Sequence, residues 1–310
     1  VIKIHKTSEN LTCETEKIEC GAWIHLEDPD TDEIEMVATQ TNLDRDLIKA
    51  ALDREESSRM EVEDDQMLVL LDVPVMEVVQ TTARYYTIPL GIVLNDDYIV
   101  TVCLQENNII DDFIEQKIKT FYTYKKTRFI LQILLRIDKY YLSFLKQIDK
   151  ASKNIETILM KSTRNKELID MLALEKSLVF FSTSLKSNQT TLEKMMKLKE
   201  MKKYPEDEDL LEDVIIENSQ AIEMTNIYRD ILTNTMDAFA SIISNNLNVV
   251  MKILTSITIV MAVPTIIASF FGMNVPMPWG NFPWAFPGVI FVTLFICAVV
   301  LVILIRKRLF

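Results

Sequence analysis

Glycine is scarce in this chain, with five residues in 310. Loops that cradle phosphates draw on closely spaced glycines, and no such fingerprint, no nucleophile elbow and no carboxylate pair beside a histidine occurs. Neither an enzyme nor an organic cofactor is therefore expected. Cysteine and histidine are almost as rare. Cys13, Cys20, Cys103 and Cys297 make no CxxC pair, and His5 and His25 complete the set, which leaves no zinc-site spacing. The thiols read as reduced and packed, as in a cytosol-facing protein. Val1–Lys6 is too short and too polar for a signal peptide. The most informative absence is regional. From Met251 to Phe310 there is no Asp or Glu, and the basic residues there are Lys252, Arg306, Lys307 and Arg308.

The preceding 250 residues hold 29 basic and 45 acidic side chains, a net of −16. Such a body disfavours nucleic acid, whose phosphates require a basic partner. It suits multivalent cations, and it equally suits plain solubility.

Two apolar stretches close the chain, Ile253–Phe271 and Phe286–Ile305. Each has the ~20 residues that a helix needs to cross ~30 Å of hydrocarbon. Lys252 precedes the first, Arg306-Lys307-Arg308 follows the second, and the connecting residues 272–285 carry no charge. Positive flanks stay on the cytoplasmic side, so both termini are expected in the cytoplasm, with the protein in the plasma (inner) membrane. Two helices cannot enclose an aqueous path, so transport requires identical subunits around an axis, embedded in lipid.

Upstream, residues 1–108 read as a cytosolic α/β domain. Strand-like runs are Val1–Lys6, Ala22–Leu26, Met67–Val75, Arg84–Leu94 and Tyr98–Leu104, with helical spacing in Thr31–Gln40 and Asp44–Asp53. Asn95-Asp96-Asp97 reads as a hairpin turn. Residues 109–250 form a long-helix region. Two long helices are predicted over Ile109–Met201, breaking near Ser162–Arg164, the second ending at Tyr204-Pro205. Between Asp207 and Phe271 the one helix breaker is Pro264, so a continuous helix of about 65 residues, about 97 Å, is expected. The remaining segments are membrane helices at 251–271 and 286–305, an extracellular loop at 272–285, and a basic cytosolic tail at 306–310.

One face of that helix is unusual. Steps of four and three give Asp230, Asn234, Asp237, Ser241, Ser244, Asn248, Met251, Thr255, Thr258, Ala262, Thr265 and Ser269. This is coiled-coil spacing, yet its members are mostly polar or small where a seam is normally apolar. Two readings are open. Several copies surround water and the stripe lines it, or the hydroxyls and small residues pack helix against helix. The pore reading suits Mg²⁺, which keeps several of its waters and can be bridged by neutral oxygens without being trapped.

After the first span stands Phe270-Phe271-Gly272-Met273-Asn274, and before it Asn248-Val249-Val250-Met251-Lys252-Ile253-Leu254-Thr255. With the short loop, final span and basic tail, these residues resemble the CorA magnesium transporter family. The resemblance is firm over Asp213–Phe310 and follows the order of elements elsewhere. It implies a funnel-shaped homopentamer whose long helix lines the pore. It further implies that Gly272-Met273-Asn274 forms the extracellular selectivity ring, with five Asn274 amides holding a hydrated cation. Asn248, Met251, Leu254, Ala262 and Thr265 match pore positions of the family, so Leu254 stands where heptad counting chooses Thr255. The family also has a cytosolic regulatory metal site between subunits. Asp213 matches one ligand; the other falls near Ala51, so Asp53, Glu55 or Glu56 would have to substitute. Phe271 replaces a common Tyr, and Val275–Ala285 lacks the usual acids.

The implied function is passive Mg²⁺ influx gated by cytosolic Mg²⁺. A transporter of Co²⁺, Ni²⁺ or Zn²⁺ is the alternative in the same fold, though a stripe without His or Cys favours the hard ion. A membrane-anchored binding or scaffold protein with inert spans is the alternative from another class.

Overall fold

The computed structural model describes residues 1–8, 11–79, 82–160, 165–198, 205–273 and 283–307. It divides into two compact units, Val1–Thr235 and Met236–Phe310.

The first unit is built on a seven-stranded sheet in the order β2-β1-β3-β7-β6-β5-β4. In chain order the strands are β1 Ile2–Ser8, β2 Leu11–Glu14, β3 Trp23–Glu27, β4 Arg59–Glu63, β5 Gln66–Val79, β6 Thr82–Leu94 and β7 Ile99–Cys103. Every neighbouring pair is antiparallel except β3 with β7. The β6–β7 connection is a side-chain-closed turn in which Asn95 Oδ1 accepts from the backbone N–H groups of Asp97 and Tyr98.

Side chains alternate across a strand, and here both faces are covered. Ile24, Leu26, Leu68 and Leu70 share one core with Ile34 and Val37 of α1 (Thr31–Thr41) and Leu47 and Ile48 of α2 (Arg45–Lys49). Helix α1 starts from a reciprocal capping box between Asp30 and Glu33. On the opposite face Trp23 sits against Phe113, Phe121 and Phe129, ring centroids 6.4, 5.6 and 5.1 Å away. Phe113 belongs to α3 (Asn108–Ile114) and Phe129 to α4 (Lys126–Leu159). In this layer Trp23 Nε1 donates to Thr101 Oγ1, which also bonds His25 Nδ1. Burial drives the His25 pKa down to about 3, so the ring is neutral.

Helix α5 (Asn165–Met195) lies along β4, β5 and β6. Its Asn188, 1% exposed, accepts from the Asp72 backbone N–H and donates to the Asp72 carbonyl, satisfying both groups of one β5 residue. Helix α6 runs without interruption over Glu208–Phe271, 64 residues. Within the first unit its buried residues are Val214, Asn218, Ala221, Thr225 and Leu232, in steps of four, three, four and seven that keep to one face.

Several expectations need correction. The strands β2 and β4 escaped the sequence reading because they are short, four and five residues, and carry only two apolar side chains each. The helical region expected to begin at Ile109 as one of two long helices is split, since α3 ends at Ile114 and α4 begins at Lys126. Left-handed backbone at Gln116 (φ 58°) and Thr120 (φ 55°) interrupts the helix and lets Phe121 reach Trp23. Only Arg45–Lys49 of Asp44–Asp53 is α-helical, and a 3₁₀ turn follows over Ala50–Leu52. Helix α5 ends at Met195, short of the expected Tyr204-Pro205, as i→i−3 bonds from Lys197 and Leu198 tighten its last turn. Ser162–Arg164 and Tyr204 lie outside the described residues.

The second unit holds the C-terminal part of α6 and helix α7 (Ala285–Arg306). Both helices are long and apolar enough to cross a membrane.

Candidate functional site

Within 251–271 the least exposed positions of α6 are Ser256, Val260, Val263 and Ile267, and those of α7 are Ala285, Val289, Thr293, Cys297, Val300 and Leu304. These faces meet, and Cys297 Sγ lies 4.0 Å from the Val260 carbonyl oxygen. That carbonyl is the one Pro264 leaves without its helical N–H, because proline has none to offer at i+4.

The stripe read from the sequence occupies the other side of α6. Asn248, Met251, Leu254, Thr255, Thr258, Ala262, Thr265 and Ser269 are all exposed, as is Asp237. At 3.6 residues per turn, its centre line lies roughly 150° from the face that packs on α7. Thr255 and Leu254 flank that line by about 40° and 60°, so heptad counting and the family match select its two margins. Packing against α7 therefore does not account for the stripe.

Two hydroxyls of the stripe have a fixed polarity. Thr258 Oγ1 donates to the Leu254 carbonyl at 2.8 Å, and Thr265 Oγ1 donates to the Met261 carbonyl at 3.1 Å. A hydroxyl whose proton is committed to the backbone turns lone pairs outward and acts as an acceptor. Acceptors suit the protons of a hydrated cation's water shell.

At the end of α6, the Gly272 N–H donates to the Ala268 carbonyl at 2.9 Å, continuing the helical pattern by one residue. A Cβ at Gly272 would stand 3.3 Å from that same oxygen, so a side chain here crowds the helix end. Met273 is half exposed, and Asn274 lies outside the described residues.

The residues expected to regulate lie in the first unit. Asp213 is exposed on α6; Asp53 is exposed beyond the 3₁₀ turn, where its Oδ1 accepts from the Glu55 N–H. Glu56 is engaged by Arg59. Ala51, where the family pattern expects an acid, is fully buried, and a Cβ on Gly91 would come within 2.6 Å of its Cβ. Among the described residues no group of three His, Cys, Asp or Glu side chains could hold a metal ion within one chain.

The sequence reading missed the α7-facing side of α6 and the Pro264–Cys297 relation. Pro264 was the available signal, since a membrane-helix proline frees a carbonyl that something must satisfy.

Comparison with known proteins decides the family. The family model described as CorA-like Mg²⁺ transporter protein matches residues 21–308. This chain belongs to the CorA-like family. The cobalt/magnesium transport protein CorA of Methanocaldococcus jannaschii is 27% identical over 274 residues, 85% of this chain and 83% of that protein. The CorA of Thermotoga maritima, of the same description, is 33% identical over 97 residues, 31% of this chain and 27% of that one. The complete structure of the M. jannaschii CorA magnesium transporter superposes with a TM-score of 0.81 at 22% identity, covering 99% of this chain and 96% of that one. The full-length CmaX protein shares the fold at a TM-score of 0.71 and 12% identity, with 96% of each chain covered. The expected fold class, an α/β domain with long helices and two membrane-length helices, is borne out by these matches. CorA-like membership also makes the chain an ion transporter of the membrane rather than an enzyme.

Proposed function

We propose that this chain is one subunit of a homopentameric channel that admits Mg²⁺ passively through the plasma membrane. The observation that carries the reading is the polar stripe on the side of α6 away from α7. Five copies of α6 around an axis would direct Thr258, Thr265 and their neighbours at water. The opposite face is already occupied by α7, and the exposed apolar residues, such as Phe286 and Phe291, are left for lipid and neighbouring subunits. In this reading the segments 251–271 and 286–305 span the bilayer, residues 1–250 and 306–310 are cytoplasmic, and 272–285 face outward. Gly272-Met273-Asn274 selects the ion at the outer mouth. Asn248, Met251, Leu254, Thr255, Ala262 and Ser269 line the path, and Asp237 lines its cytosolic approach.

Gating follows from acidity. Acidic cytosolic domains around one axis repel one another over about 8 Å at physiological salt. Mg²⁺ held between Asp213 of one subunit and Asp53 of the next neutralises that repulsion and favours the closed ring. When internal Mg²⁺ falls, the sites empty and the ring opens.

The ion is hard and hydrated in this reading because the stripe offers neutral oxygens and neither His nor Cys. The names of the curated relatives include cobalt, so Co²⁺ is the second cargo to weigh. Uptake by liposomes holding the purified protein tests the proposal with Mg²⁺, Co²⁺, Ni²⁺ and Zn²⁺ in turn. Mg²⁺ entry without an energy source is expected. A preparation that admits none of the four ions returns the chain to the scaffold reading.

A further inference from the structure

The first unit contains a buried carboxylic acid that the ion path does not use. Asp138 of α4 is 1% exposed and faces Asn218 of α6, 3% exposed. Asn218 Nδ2 donates to Asp138 Oδ1 at 3.0 Å. The second oxygen of each group, Asp138 Oδ2 and Asn218 Oδ1, is also buried and without a partner. Two facing acceptors cannot satisfy each other, and leaving them bare is costly inside a protein. One proton resolves both. A protonated Asp138 would donate through Oδ2 to Asn218 Oδ1, closing a two-bond ring with the amide.

We propose that Asp138 and Asn218 form a neutral acid–amide pair around one bound proton, and that this pair makes the attachment of α6 to α4 proton-dependent.

The surroundings favour the proton. Glu217, beside Asn218 on α6, adds negative charge that opposes ionisation, and no basic side chain acts on Asp138 among the described residues. Tyr141, one turn along α4, is the other titratable neighbour, and its hydroxyl donates to the Asp72 carbonyl at 3.1 Å instead. Burial first of all, and Glu217 after it, hold the Asp138 carboxyl up at about 8 against the opposing pull of the Asn218 amide. In the unfolded chain an Asp titrates near ~3.9. The folded chain therefore keeps one proton more than the unfolded chain between those values. The stability contributed by the pair is complete below about pH 4, declines as pH rises, and is gone above about 8.

The pair sits on the same helix as the polar stripe, so its bearing on ion flow rests on the function proposed above; its existence does not. Cytosolic alkalinisation would remove the proton, leave a buried carboxylate and loosen the N-terminal half of α6.

Infrared spectroscopy of the full-length protein tests the pair directly, between about pH 6 and pH 10. The carbonyl band of a protonated carboxylic acid is expected at neutral pH, is expected to vanish in Asp138→Asn, and should titrate near 8. Asn218→Leu removes both the amide donor that favours the charged form and the acceptor of the bound proton, so the midpoint should move away from its wild-type value. The amide in Asp138→Asn can make both bonds without a proton, so that variant should match wild-type thermal stability near pH 4 and exceed it increasingly from there up to about pH 8. A wild-type spectrum without that band at neutral pH, or a midpoint indifferent to Asn218→Leu, would overturn the pair, and neither reading depends on Asp138→Asn folding. In liposomes, Mg²⁺ flux should change between about pH 7 and pH 9 in the wild type and stay level in Asp138→Asn. Flux indifferent to pH while the band titrates would overturn the regulatory role. A complete lack of Mg²⁺ flux would instead refute the channel reading and leave the infrared result standing.

Discussion

The two units of this protein treat the same kinds of side chain in opposite ways. In Val1–Thr235, Trp23, Ile24, Leu70 and Ile92 are wholly buried. In Met236–Phe310, Phe286 and Phe291 are 75% and 72% exposed, and Leu304 is the one α7 residue classed as buried. A chain dissolved in water cannot leave such a run of large apolar surfaces bare. The difference identifies two solvents, water for the first unit and hydrocarbon for the second. Polarity reverses accordingly. The first unit buries and pairs polar groups such as Asn188 and Thr101, whereas the second leaves the hydroxyls of Thr258 and Thr265 exposed within the chain.

This contrast can be broken by experiment, because variants of the first unit should act on stability and variants of the second on conduction. The largest effect is expected at Asn274, whose replacement by Ala should abolish Mg²⁺ flux while the oligomer survives size-exclusion chromatography. Wild-type flux in that variant would remove Asn274 from selection. Next, Trp23→Ala deletes the centre of an aromatic cluster and should cost about 3–5 kcal/mol in denaturant unfolding. The same truncation at Phe291, exposed within the chain, should cost less than about 0.5 kcal/mol in detergent if lipid is its partner. A large loss there would mean that Phe291 belongs to an intersubunit core.

Ala51→Asp tests whether an acid at the family position could rebuild a regulatory site. With the side chain sealed against Gly91, the expected result is a loss of about 3–5 kcal/mol from an unpaired buried charge, with no gain in Mg²⁺ sensitivity. Single cysteines at Thr258 and Ile259 sharpen the stripe. A water-soluble thiol reagent should modify position 258 about ten-fold faster or more, a gap equivalent to ~1.4 kcal/mol in barrier. Equal rates would mean that the stripe packs and does not line water. The smallest effect is expected for Asp213→Ala, a several-fold rise in the internal Mg²⁺ needed for closure with conduction intact. An unchanged inhibition curve would leave Asp213 as ordinary surface acidity.

The sequence by itself determined the features set by neighbours along the chain. The absence of Asp and Glu after Met251 and two uncharged apolar runs marked the membrane-length helices, strand-like runs marked five of the seven strands, and heptad steps marked the stripe from Asp230 to Ser269. Each is a local property of the chain, a run of one composition or a helical repeat, legible without reference to any partner. Tertiary structure decided what those faces meet. The sequence could not say that Ser256, Val260, Val263 and Ile267 would take α7, and so that the polar side would be left free. Nor could it show that Ala51 would be sealed in the core, out of reach of any metal. Least of all could it place Asp138 against Asn218, 80 residues away, where neither side chain differs from any other polar residue on a helix. Burial and partnership depend on chain segments brought together from afar, and that is why the proton this pair invites is visible only in the folded protein.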